Sequence, residues 1–184
     1  MNEFIKFTGE IILTYKGDNK FDEYISYLKE QEILGFDTES KPSFKKKQKN
    51  KLSLIQFSTY TRAILIKVID EVPYEIYYNI FNNEKILKVG CGLKNDLAEL
   101  KIENKYLNTF IDIQVLAKQR GIQQVSLQSL CMSILNKKIN KKEQLSNWAA
   151  KKLTKKQLLY AATDAYACLL IFDRLKNEVS LPKT

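Results

Sequence analysis

The stretch KLSLIQFSTYTRAILIKV, residues 51–68, contains two apolar runs rich in β-branched residues, 52–57 and 63–68, separated only by residues 58–62. Five residues are too few for a crossover and suit a hairpin, so the two runs are predicted to pair antiparallel. Outward from this hairpin, three further runs of the same kind stand at 33–36, 86–89 and 109–113, each bounded by turn or charged residues. The last two flank a helical pattern at 93–100, the arrangement expected of a parallel crossover unit. Other helical patterns cover 21–30, 73–81 with Pro73 in a favoured first-turn position, 115–120, 127–135 and 154–179. The expected architecture is α/β, a mixed five-stranded sheet flanked by helices on both faces.

At 184 residues and 45% hydrophobic, the chain suits a single domain, residues 1–184, with one unstapled core. No internal repeat and no proline-rich or glycine-rich linker divides it. Three cysteines without a CxxC pair, and no histidine at all, exclude the usual zinc ligand sets and point to a reducing setting. The opening MNEFIKFTGEIIL is interrupted by Glu3, Lys6 and Glu10, unlike a signal peptide, and no apolar run approaches the ~20 residues that span a bilayer. We therefore expect an intracellular, cytoplasmic protein without a membrane partner. The lysine-rich run KKKQKNK, residues 45–51, also fits a nuclear localisation patch. A net charge of +9 and a pI near 9.3 suit a polyanionic partner such as nucleic acid.

Acidic residues recur in three places. In GFDTES, Asp37 and Glu39 are two apart, so on an extended backbone they share a face and can share a cation. In KVGCGLKNDLAEL, Asp96 follows a turn at Gly90 and Gly92, where an aspartate can equally serve as a helix cap. In LLYAATDAYACLL, residues 158–170, Tyr160 and Asp164 lie one turn apart among alanines and leucines that imply a covered helix. A buried carboxylate is costly without a partner, and no arginine or histidine stands near it in sequence. A divalent cation shared with carboxylates from elsewhere would compensate, and an all-oxygen set suits Mg²⁺ or Mn²⁺. Tyr160 could equally be a core tyrosine whose hydroxyl caps a carbonyl. Asp112 reads as an N-cap rather than a further ligand, Trp148 as an anchor for the final helix, and Cys168 as a small buried apolar residue. Gln56 lies on a core strand, where its amide can bond backbone near the site.

DxE on a strand, an aspartate behind a glycine turn and YxxxD on a late helix, in that order, resemble the three motifs of the DEDD 3′-5′ exonucleases, in their tyrosine branch. KLSLIQFST, VSLQSLCMSILNKK and LSNWAAKKLTKKQLLYAATDAYA extend the resemblance to the Werner-type and RNase D-type domains over residues 33–175. It implies a ribonuclease H-like fold and two divalent ions, Mg²⁺ or Mn²⁺, ~4 Å apart on Asp37, Glu39, Asp96 and Asp164. It also implies that Tyr160 hydrogen-bonds the attacking water, the task of a histidine in the sister branch that a histidine-free chain excludes. The implied activity is release of nucleoside 5′-monophosphates from a 3′ end. DNA is favoured over RNA, because the helical domains of RNase D do not follow and a stand-alone unit is expected. The family often has an aromatic residue directly after DxE, where this chain has Ser40, so Phe44 becomes the candidate platform for the terminal base.

Lys45, Lys46, Lys47, Lys49 and Lys51 leave the strand bearing DxE and are candidate contacts to the phosphodiester chain, as is Asn95 beside Asp96. Lys137, Lys138, Lys141 and Lys142, with Lys151, Lys152, Lys155 and Lys156, form a second candidate surface. Two alternatives stand beside the exonuclease: an inactive nuclease-like module that only binds nucleic acid or a protein, and an endonuclease of the same broad fold.

Overall fold

A computed structural model describes residues 3–41 and 51–177. Phe44, Lys45, Lys46, Lys47 and Lys49 lie outside the described residues.

The hairpin forms as expected: β3 (Leu52–Ser58) and β4 (Arg62–Lys67) pair antiparallel, Gln56 opposite Leu65. β2 (Ile33–Ser40) pairs antiparallel with β3 on its other side and parallel with β5 (Leu87–Gly90), which pairs parallel with β6 (Phe110–Asp112). The helix α3 (Lys94–Glu99) joins β5 to β6, as a crossover unit requires. The sheet is mixed and has six strands among the described residues, not five, in the order β1-β4-β3-β2-β5-β6.

The additional strand is β1 (Glu10–Thr14), parallel to β4 at the sheet edge. It is only five residues long and pairs on one side, so its sequence lacks the continuous apolar run that marks the inner strands. Glu10 forms an ion pair with Arg62 directly across the ladder, at 2.7 Å. The apolar run at 33–36 marks only the first half of β2, which continues through Glu39 to Ser40, so that both DxE carboxylates sit on the strand, as expected. Similarly, α4 (Ile113–Gln119) starts two residues earlier than its pattern suggested, because β6 ends at Asp112 and that residue caps the helix.

Alternation along the strands sends side chains to two helical layers. Leu34, Phe36, Ile55, Phe57, Ile64 and Ile66 pack on one face against α1 (Phe21–Lys29), the short α2 (Tyr74–Ile76) and the π-helical turn Tyr77–Phe81. The opposite face receives α5 (Leu127–Leu135) and the 23-residue α6 (Lys155–Asn177). Small residues set the depth of α6. A Cβ on Gly35 would stand 2.1 Å from the carbonyl oxygen of Ala165, so the helix lies on bare strand backbone at that point. Ala161, Ala162 and Ala165 are fully buried along the same helix, which brings Asp164 against the end of β2. No helix among the described residues is long and apolar enough to cross a membrane.

Candidate active site

Asp37 and Glu39 project from β2 on the side covered by α6, where Asp164 approaches them. One carboxylate oxygen from each of the three lies within 4.8 Å of the others, a spacing at which a single cation can be shared. Asp164 is buried and its Oδ1 has no hydrogen-bond partner among the described residues. Oxygen donors alone, gathered at this spacing, fit a hard divalent cation.

The electrostatics agree with that chemistry. Burial first, then the charges of Asp164 and Asp96, raise the Asp37 carboxyl well above the usual range, while a hydrogen bond from the Thr38 amide opposes the shift. Glu39 is pushed up to about 10 by burial and then by Asp37, Asp164 and Asp96. Asp164 is raised to about 7 by burial, against which the Tyr160 hydroxyl and the nearby Lys141 favour its ionised form. Burial and mutual repulsion thus favour the protonated forms of these groups when no cation is bound.

Asp96 arrives from α3 and stands apart from this trio. Its Oδ1 accepts a hydrogen bond from the Thr38 hydroxyl, which points from β2 to the side opposite Asp37 and Glu39. Its charge nonetheless reaches Asp37 and Glu39. The turn preceding Asp96 is fixed by Asp112: Oδ1 accepts from the amides of Gly92 and Gln114, both at 2.9 Å, and Oδ2 from the Leu93 amide at 3.0 Å. Asp112 is thus the α4 N-cap expected from sequence, and it also anchors the loop that delivers Asp96. Sequence pattern missed Thr38, because the middle residue of DxE becomes informative only once α3 is known to lie on the other face.

Tyr160 lines a cavity of about 300 Å³ together with Asp37, Glu39, Asp164, Cys91, Gln114 and Lys141. Burial, then Asp164, raises the phenol well above its ordinary value, so the hydroxyl stays neutral. Its ring packs 5.8 Å from that of Trp148, which is fully buried between α6 and the sheet, the anchoring role expected of it. Gln157 fixes the segment around Trp148 by donating to Ser146 and to the Asn147 carbonyl. Cys168 is buried in the apolar layer under α6. Asn95 is exposed on α3, and Lys51 spends its ammonium on the Ile69 carbonyl at 3.0 Å. Of the second lysine surface, Lys141 lies at this cavity, while Lys142 and Lys156 line a neighbouring one of about 430 Å³ that shares Tyr160 and Asp164.

A mixed sheet with a long helix laid across its carboxylate-bearing strand is the arrangement of a ribonuclease H-like exonuclease domain. Residues 13–180 match the family model described as 3'-5' exonuclease, and the chain belongs to that family. The exonuclease mut-7 homolog of Aedes aegypti is 28% identical over 189 residues, covering 88% of this chain and 26% of that protein. The bifunctional 3'-5' exonuclease/ATP-dependent helicase WRN of Mus musculus is 30% identical over 184 residues, covering 95% of this chain and 13% of the relative. The chain thus spans about a quarter or less of these two relatives. Among solved structures, the Aedes aegypti Nibbler EXO domain superposes with a TM-score of 0.76 at 28% identity, covering 89% of this chain and 87% of that one.

Proposed function

We propose that this chain is a metal-dependent 3′-5′ exonuclease that shortens a nucleic-acid strand from its 3′ end, releasing nucleoside 5′-monophosphates. The observation that carries the reading is the meeting of Asp37, Glu39 and Asp164 within 4.8 Å beside Tyr160, in a chain of the exonuclease family. These three carboxylates, with Asp96 across the strand, would hold two divalent cations. When bound, the cations supply charge neutralisation at the phosphate and activation of the attacking water.

The remaining steps belong to the chain's own side chains. Tyr160, kept protonated by burial and by Asp164, offers a hydroxyl that can hydrogen-bond the attacking water without adding negative charge beside the phosphate. Lys141 faces the same cavity and supplies a positive charge to the phosphodiester. Asp112 holds the turn that sets Asp96, and Trp148 braces the ring of Tyr160. Asn95 and the lysines of residues 45–51 are proposed contacts to the entering strand, and Phe44 a proposed platform for its terminal base.

The sugar at the 3′ end is left to the assay, because the preference for DNA expected from sequence rested on where the chain ends. A strand labelled in its 3′-terminal nucleotide, made as DNA and as RNA, should release labelled 5′-monophosphate in Mg²⁺ or Mn²⁺ and none in EDTA, and a circular single strand should remain intact. Tyr160→Phe should lower turnover by roughly 10²-fold, the scale of a lost proton-handling or positioning group. Internal cuts in the circle would indicate an endonuclease, and full turnover by Tyr160→Phe would remove the tyrosine from the chemistry.

A further inference from the structure

Four buried side-chain atoms among the described residues have no hydrogen-bond partner: Trp148 Nε1, Gln56 Oε1, Gln56 Nε2 and Asp164 Oδ1. They are two donors and two acceptors. Burying such groups unpaired is costly.

Gln56 stands opposite Asp37 in the β2–β3 ladder, so the two side chains share the face that α6 covers. Asp37 and Asp164 offer ligand atoms to the same cation-sized space. On its other flank, Gln56 neighbours Leu54 along β3 and Leu65 across in β4, and both leucines pack against Trp148. Gln56 therefore lies between the indole and the metal-binding carboxylates. Its amide provides the acceptor the indole lacks and the donor the aspartate lacks.

We propose that Gln56 is a positioning residue for Asp164: its side-chain amide, unbonded in this structure, turns to complete a relay in which Trp148 Nε1–H donates to Gln56 Oε1 and Gln56 Nε2–H donates to Asp164 Oδ1. The inference rests on the metal-binding reading above. The relay would hold Asp164 in its ionised, metal-facing orientation, leaving its other oxygen for the cation. Partners of ligating carboxylates act in this way elsewhere, and their loss typically weakens metal binding 10–100-fold.

The test is direct Mn²⁺ binding, read by the electron paramagnetic resonance signal of free Mn²⁺, beside melting temperatures in EDTA. Gln56→Met keeps the volume and removes both amide atoms. It should melt in EDTA at or above the wild-type temperature, yet bind Mn²⁺ about tenfold or more weakly. Trp148→Phe keeps an aromatic ring without the N–H, should weaken Mn²⁺ in the same direction by a smaller factor, and should add nothing to Gln56→Met in the double variant. Wild-type Mn²⁺ affinity in a folded Gln56→Met would overturn the relay, as would additive losses in the double variant. Should Gln56→Met not fold, Trp148→Phe with undiminished affinity overturns it. If the wild-type chain itself binds no Mn²⁺, the metal-binding reading fails first, an outcome separate from failure of the relay.

Discussion

Asp37, Glu39 and Asp164 are held where each raises the cost of ionising the others, and that crowding can be tested without substrate. A carboxyl whose value in the folded chain exceeds its unfolded value contributes stability that is complete below the unfolded value and is lost as pH rises through the folded one. For Glu39 the window runs from its ordinary 4.5 to about 10, and Asp37, Asp96 and Asp164 shift in the same direction. In EDTA, the melting temperature of wild type relative to Glu39→Gln should therefore fall between pH 5 and 9. Mg²⁺ should restore more of it at pH 9 than at pH 5, because metal binding competes with protons. A difference independent of pH in EDTA would mean that the carboxylates are not crowded as described. Asp96 teaches a different lesson at the same scale. The sequence presents it as an equal of the other three, whereas in the folded chain its carboxylate is engaged by the Thr38 hydroxyl on the far side of β2. Spacing along a chain locates an acid on an element but not the partner it meets there.

At the level of elements, the site depends on how closely α6 approaches the sheet. Gly35 makes that approach possible, since any Cβ there would collide with the Ala165 carbonyl at 2.1 Å and crowd Leu169 at 3.0 Å. Gly35→Ala should destabilise the fold by roughly 1–3 kcal/mol, the usual cost of overpacking, read as a lower urea midpoint at unchanged m-value. An unchanged midpoint would show that α6 has freedom to shift. Much of this level was legible beforehand. The inner strands are continuous apolar runs because helices cover both faces, and the helix predicted at 127–135 forms over Leu127–Leu135, started by Ser126, whose side chain accepts from Ser129, and stopped by Asn136 in the left-handed conformation. The edge strand β1 was not legible, because its parallel pairing to β4 is decided by register across 52 residues, Glu10 to Arg62, and not by any local pattern. The apolar run at 33–36 marked only part of β2, because its last residues are polar and line the site instead of a core, and there the DxE spacing showed the strand.

For the molecule as a whole, one fold gathers the acids into a pocket while the chain keeps a net charge of +9. On the proposed reading, a polyanionic strand would be attracted by the protein at large and would meet concentrated negative charge at the acidic pocket, where cations would intervene. Removing the acids should therefore abolish cleavage and leave attraction for the strand intact. The measurement that tests this most directly is the shortening of 5′-labelled DNA and RNA strands by wild type and by the Asp37→Ala/Glu39→Ala variant, each in Mg²⁺, Mn²⁺ or EDTA. A ladder receding from the 3′ end, present only with metal and only in wild type, is the predicted result, with the variant still retarding the strand on a gel. Metal-independent shortening, or full activity in the variant, would contradict the assignment of these carboxylates. Intact strands in every metal with binding retained would mean that the chain acts by holding nucleic acid.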